Sequence, residues 1–348
     1  IMSEFYTEKI EKSPRIDKLK ADLFKLPPQI EADRAVLLTE SYKATEGEPI
    51  IMRRAKAFEH ILDNIPIIIR DGELIAGSAT IRPRSCQVFP EFSFEWLEKE
   101  FDTVATRTAD PFYISEDTKK TLHEVYKYWK GKTTSDLATS YMTPETLMAM
   151  KHNMFTPGNY FYNGIGHVTV DYGKVITYGY SEYIEEIEDE LSSMRVSDGN
   201  YCKKHALLEA MLISLRAVIR YAKRYSRLAK EMAGRESDGK RREELLKISE
   251  ACDRVPEFGA RDFHEACQSF WFVQMLLQTE SSGHSISPGR FDQYMYPHYK
   301  KSLEAGMSRE QAQELIDCVW VKLNDLNKCR DEVSAEGFAG YSLFQNLI

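Results

Sequence analysis

The sequence predicts a helix-rich chain broken by a few short extended segments. Three observations carry this. Long stretches place apolar residues at helical spacing, helix-start residues stand ahead of several of them, and short apolar runs begin after proline and end at glycine. No Pro/Gly-rich linker and no internal repeat divides the 348 residues, so they read as one continuous domain.

Residues 30–46 carry Ile30, Ala35, Leu38 and Tyr42 at helical spacing and stop at Gly47. Pro49 opens a second helix through Met52, Ala55, Phe58, Ile61 and Leu62, because a first turn tolerates proline. Ile65–Arg70 reads as a short strand ending at the Asp71-Gly72 turn, with Glu73–Gly77 pairing back as a hairpin. Residues 80–92, with Pro83 and Pro90, read as loop or extended chain. Ser115 caps a helix that reaches Trp129 before Gly131, and Thr143 followed by Pro144 starts another. Residues 153–166 read as an ordered loop, since Phe155, Tyr160, Phe161 and Tyr162 are too many aromatics to leave in water. Helical patterning resumes over 180–194, 203–233 and 239–251. The stretch 261–279 is apolar on most sides and reads as a buried helix. Ser308-Arg309-Glu310-Gln311 fits a capping box opening a helix to about Lys328.

Composition excludes several classes. With 43% hydrophobic and 29% charged residues the chain has a globular composition, and a net charge of -8 argues against a phosphate-neutralising face for nucleic acid. The basic run Lys240-Arg241-Arg242 is followed at once by Glu243 and Glu244, as on a solvated helix face. No apolar run reaches membrane-spanning length, and the first residues lack the apolar core of a signal peptide. Six cysteines with no C-x-x-C pair fit reduced thiols, with Cys267 and Cys318 in apolar helical patterns that suit a core.

Two polar clusters carry the candidate chemistry. The first is Ser282-Gly283-His284-Ser285-Ile286-Ser287-Pro288-Gly289-Arg290. An imidazole beside a hydroxyl can hold a small polyhydroxylated molecule, and the flanking glycines let backbone approach a ligand. Neighbouring side chains of a regular strand point to opposite faces, so His284 and Ser285 can share a pocket only on a loop or bulge. A polar loop with His284 bonded to backbone fits the same residues. The second cluster is Gly164-Ile165-Gly166-His167-Val168-Thr169-Val170-Asp171-Tyr172-Gly173, where His167 can exchange a proton or simply occupy a turn. Val168 and Val170 alternate with Thr169 and Asp171 as in a short strand. His167, His284 and Asp171 match no standard metal-ligand spacing. Cys329 has no identifiable base and reads as a structural thiol.

Several long stretches together resemble glycyl radical enzymes of the pyruvate formate-lyase-like superfamily, on the side of cobalamin-independent glycerol and 1,2-propanediol dehydratases. They include Arg70-Asp71-Gly72-Glu73-Leu74-Ile75, Val88-Phe89-Pro90-Glu91-Phe92, Leu137–Met142, Gly166–Gly173, Gly283–Tyr296 and Phe338–Ile348. The resemblance covers nearly the whole chain, as the amino-terminal portion (1–348) of such a domain. It implies an α/β fold: a helix-rich amino-terminal part plus the first half of a ten-stranded barrel. It implies His167 as the acid that protonates a departing hydroxyl, His284 and Ser285 as the pair that binds substrate hydroxyls, and Phe344 at a pocket wall where some relatives have tyrosine.

The resemblance further implies no directly bound cofactor and no metal. A glycyl radical, on a glycine outside this chain, is installed by an S-adenosylmethionine-dependent activating enzyme. The catalytic cysteine, its partner glutamate and the radical glycine belong to the other half, so this stretch by itself is expected to be inactive, with a half-barrel edge exposed. Expected partners are a small diol, the activating enzyme and a second copy in a homodimer, with no nucleic acid or membrane. The expected setting is an anaerobic cytoplasm, with enclosure in a bacterial microcompartment left open. Choline trimethylamine-lyase-like C–N cleavage and a non-catalytic helical scaffold are the alternative readings; Gly340–Phe344 speaks against the first and the polar pocket residues against the second.

Overall fold

The computed structural model describes residues 13–338 apart from 153, 156–160, 162, 165 and 284. Helices dominate. The chain opens with α1 (Pro14–Phe24), where the Ser13 hydroxyl accepts from the Ile16 amide and Pro14 fills the first turn. Strand β1 (Ile30–Glu31) leads into α2 (Asp33–Ala44) and α3 (Ile50–Asn64), the latter following Pro49. After β2 (Cys86–Gln87) come α4 (Glu95–Glu100), α5 (Glu116–Trp129), α6 (Thr134–Ser140) and α7 (Pro144–Lys151). Ser115, Thr133 and Thr143 cap the last three by accepting backbone amides.

The second half holds α8 (Tyr172–Tyr178), α9 (Tyr180–Ser193), α10 (Tyr201–Arg235) and α11 (Gly239–Arg254). Then follow α12 (Phe263–Glu280), α13 (Phe291–Glu304), α14 (Arg309–Asp325) and α15 (Glu332–Phe338). Both halves of the capping box expected at Ser308 and Gln311 are present. Among the described residues, no helix is long and apolar enough to cross a membrane.

The α12 helix is the centre of the molecule. Ala266, Cys267, Phe270, Trp271, Phe272 and Met275 are fully enclosed, as expected of a helix apolar on most sides. It is walled by α8, α11, α13 and α14. Each buried aromatic contributes roughly 1.5–3 kcal/mol of transfer free energy, so this face anchors everything that departs from the helix ends. Tyr221 of α10 meets the Phe272 ring edge-on and Tyr225 meets it at a tilt.

The expected strand at 65–70 and its hairpin do not form; residues 66–70 belong to no strand. The physical reason is that side chains of distant helices take the backbone groups a hairpin would have paired. Gln268 of α12 donates to the Ala76 carbonyl at 2.8 Å and accepts from the Ala76 amide at 2.7 Å. Trp271 donates to the Gly77 carbonyl at 3.0 Å, His264 to Leu74 at 2.8 Å and Arg241 to Glu73 at 2.8 Å. The Tyr225 hydroxyl accepts from the Ser78 amide at 3.0 Å. Buried backbone polar groups must find partners, and here they find them in side chains. Burial pushes the His264 imidazole down, toward the neutral form.

Sheet structure is sparser than the expected half-barrel. The described residues contain one named sheet, the parallel pair β1–β2 with Ile30 opposite Cys86 and Glu31 opposite Gln87. Single parallel bridges extend it from Gln29 to Tyr113 and from Cys86 to Asn327, and a separate one joins Thr169 to Ser287. The helix expected over 30–46 begins at Asp33, because Ile30 and Glu31 are committed to this pairing. Helices α1, α4, α6, α8, α13 and α15 were not among the sequence-based expectations; α4, α6, α8 and α15 have no more than seven residues each, too short for a periodic signal.

Candidate functional site

The two polar clusters lie side by side. The chain from 163 to 171 runs parallel to the chain after α12, with the Ser287 amide donating to the Val168 carbonyl at 2.9 Å. Upstream, the Gly164 amide donates to the Ser282 hydroxyl at 2.8 Å. Only glycine fits at 164: a Cβ there would lie 2.0 Å from the Ser281 hydroxyl oxygen and 2.8 Å from the Phe92 ring. Downstream, Asp171 caps α8 by accepting from the Lys174 amide at 3.0 Å, which gives it a structural role.

Gln274, in the apolar centre of α12, ties the two segments together. Its side-chain oxygen accepts from the Tyr172 hydroxyl, and its amide nitrogen donates to the Ile286 carbonyl at 3.1 Å. Tyr294 of α13 donates to the Pro288 carbonyl at 2.8 Å. Burial pushes the Tyr172 and Tyr294 phenols up, so both stay neutral donors.

Two non-glycine residues in this site have left-handed backbone, His167 with φ +55° and Ser285 with φ +58°. Such residues are uncommon and persist where surroundings hold them. The turn at Ser285 departs from strand backbone. His167 is exposed, whereas Ser285 is buried.

A charged network supports these segments from below. Arg34 donates to both oxygens of Glu91, at 2.7 and 3.2 Å, and to the Thr279 carbonyl at 2.7 Å. Arg54 bonds Glu91 at 2.9 Å and Glu280 at 2.6 Å. Burial alone pushes the Glu91 carboxyl up, but Arg34 and Arg54 outweigh it and hold the group below the usual carboxylate range. The Arg34 guanidinium lies 3.8 Å from the Phe89 ring centre, and the Lys328 ammonium 5.9 Å from the same ring.

Of the residues singled out from sequence, the structure brings the His167 segment and the Ser285 turn together. His284 and Phe344 lie outside the described residues, as does most of the aromatic loop around 160. No group of His, Cys, Asp and Glu able to hold a metal occurs among the described residues. Cys329 lies 3.8 Å from an Arg107 nitrogen. Gln274, Lys328, Glu91 and Arg34 were missed. A glutamine inside a helix apolar on most sides is a signal for the first, since a buried amide demands partners; the other three carry no local signal. A cavity of about 470 Å3 between α3, α9, α10 and α12 reaches Val170 and Asp171 but includes neither His167 nor Ser285. It is lined mainly by Leu, Met, Val and Ala without a convergent polar set, so the candidate site is the pair of segments and not the cavity.

Residues 6–348 match the pyruvate formate lyase-like family model. The chain belongs to this family. Within it, the chain is similar to a structure solved for 1,2-propanediol dehydration in Roseburia inulinivorans, with 64% identity and a TM-score of 0.95 over 97% of this chain and 40% of that one. It is also similar to the glycerol-bound B12-independent glycerol dehydratase of Clostridium butyricum, with 51% identity and a TM-score of 0.94 over 97% of this chain and 43% of that one. The (2S)-3-sulfopropanediol dehydratase of Klebsiella oxytoca is 33% identical over 95% of this chain and 41% of its own length. The chain thus spans about two fifths of the length of the family members it matches. These members are dehydratases, and others in the family are lyases such as isethionate sulfite-lyase.

Proposed function

We propose that this chain is part of a glycyl radical dehydratase that converts a small vicinal diol, propane-1,2-diol or glycerol, to an aldehyde and water. The observation that carries the reading is the 64% identity, at TM-score 0.95, with a structure solved for 1,2-propanediol dehydration. The neighbouring His167 segment and Ser285 turn support it. The radical, held outside these residues, supplies removal of a hydrogen atom from the substrate carbon. This chain's residues then bind, orient and protonate. Ser285 and His284 hold the substrate hydroxyls. His167, projecting from its left-handed turn, donates a proton to the departing hydroxyl as the C–O bond breaks, so that water leaves. Relatives named as dehydratases favour C–O over C–N cleavage.

In the same reading the parallel pairs at 29–31, 86–87, 113 and 327 begin the first half of a ten-stranded barrel. The protein works as a homodimer in an anaerobic cytoplasm, is charged by an S-adenosylmethionine-dependent activating enzyme, and engages neither nucleic acid nor membrane. Phe344 in place of tyrosine enlarges apolar contact and favours the methyl of propane-1,2-diol over the third hydroxyl of glycerol.

The test is an anaerobic assay of the full-length enzyme, activated by its partner enzyme, with each diol. Aldehyde formation from propane-1,2-diol supports the reading, and a charged radical without turnover of either diol overturns it. An unchanged preference between the two diols in Phe344→Tyr removes the role given to that residue.

A further inference from the structure

We propose that Lys328 is a positioning residue that holds the backbone of Ser281 and Gly283, beside Ser285, in its substrate-binding shape; this rests on the diol reading of Ser285. Lys328 is 8% exposed, and its ammonium donates to the Ser281 carbonyl at 3.2 Å and also to the Gly283 carbonyl. The lysine is itself held by the sheet. Its neighbour Asn327 forms the parallel bridge with Cys86, and the Asn327 side chain donates to the Arg84 carbonyl at 3.0 Å. On the other side of the turn, Gln274 donates to the Ile286 carbonyl at 3.1 Å. Ser285, with φ +58°, sits between these two anchors. A left-handed serine is strained by about 1–2 kcal/mol, so it keeps this shape only if both flanks are fixed.

The choice of lysine is informative. Burial pushes its ammonium down, and Arg330 and Arg34 push it further; Glu280 opposes them. A methionine of similar length would avoid that cost. What only the lysine supplies is a donor group reaching two carbonyls of the turn at once. Fixing those carbonyls pre-orders the turn before substrate arrives, which lowers the ordering cost of binding.

The experiment compares wild type, Lys328→Met and Lys328→Gln as full-length, activated enzymes. Three readouts are taken: glycyl radical content by electron paramagnetic resonance, KM and kcat for propane-1,2-diol, and amide hydrogen exchange across 281–289. In Lys328→Met the radical content stays at the wild-type level and KM rises about tenfold or more, while kcat changes by less than about threefold. Exchange accelerates in 281–289 and not in α12. Lys328→Gln, which keeps a donor, recovers part of both effects. A KM within about twofold of wild type together with unchanged exchange overturns the proposal. If Lys328→Met does not fold, Lys328→Gln is judged on its intermediate effect: KM raised about threefold or more with faster exchange in 281–289 supports the proposal, and KM within about twofold with unchanged exchange overturns it. If wild type turns over neither diol, the diol reading fails by itself, and the exchange arm still decides whether Lys328 holds the turn.

Discussion

Replacing Gln268 with leucine tests the idea that helix side chains, not strands, satisfy the backbone around residue 76. Gln268 is fully buried and meets both the amide and the carbonyl of Ala76, at 2.7 and 2.8 Å. Leucine fills nearly the same volume but leaves both groups without partners. Each orphaned buried group costs about 1–3 kcal/mol, so the pair costs about 2–6 kcal/mol. Added apolar burial returns about 1–2 kcal/mol, leaving a net loss of about 0–5 kcal/mol with a central value of about 2.5 kcal/mol. This loss is local, and amide hydrogen exchange reads it directly at Ala76 in the intact protein. At about 1.4 kcal/mol per decade, the central value accelerates exchange of the Ala76 amide roughly 60-fold in Gln268→Leu. Exchange within about threefold of wild type in Gln268→Leu refutes the reasoning, because water or a strand partner must then satisfy Ala76.

Gly164→Ala drives a Cβ to 2.0 Å from the Ser281 hydroxyl and 2.8 Å from Phe92; the His167 segment and the Ser281 turn separate, and diol turnover falls at least about tenfold with radical content retained. Full activity in this variant rejects the close approach. Glu91 has its carboxyl below the usual range in the folded state, so its contribution to stability is present above the unfolded value near about pH 4.3 and is lost as pH falls through the lower folded value. Glu91→Gln leaves Arg34 without its buried carboxylate, costs about 3–5 kcal/mol at pH 7, and shows a shallower loss of unfolding midpoint below about pH 5 than wild type; equal acid slopes in the two proteins contradict the assignment. His167→Ala in the activated full-length enzyme abolishes dehydration while the glycyl radical still forms, and normal turnover refutes its role as the acid.

Much of the helical frame was legible because its causes are local. Ser115, Thr143 and Ser308 cap their helices as their side chains dictate, and α12 is buried as expected of a helix apolar on most sides. The hairpin at 65–77 was misread for an equally physical reason. An apolar run followed by Asp71-Gly72 specifies an extended segment and a turn, but not which groups will meet its amides and carbonyls. Those partners are Gln268, Trp271, Arg241 and Tyr225, about 150 to 195 residues away along the chain.

The candidate site divides in the same way. By itself the sequence determined that His167 and the stretch 282–290 are glycine-flanked polar clusters, and that neighbouring polar residues could share a pocket only on a turn. Only the tertiary structure decided that the two clusters run alongside each other, and that Ser285 takes the left-handed backbone such a turn needs. Only it decided that Gln274 and Lys328 fasten the Ser285 turn from opposite sides. Helix periodicity and capping act within a few residues, so the sequence displays them. The bonds that shape this site join residues brought close by core packing, and that packing is a property of the whole chain.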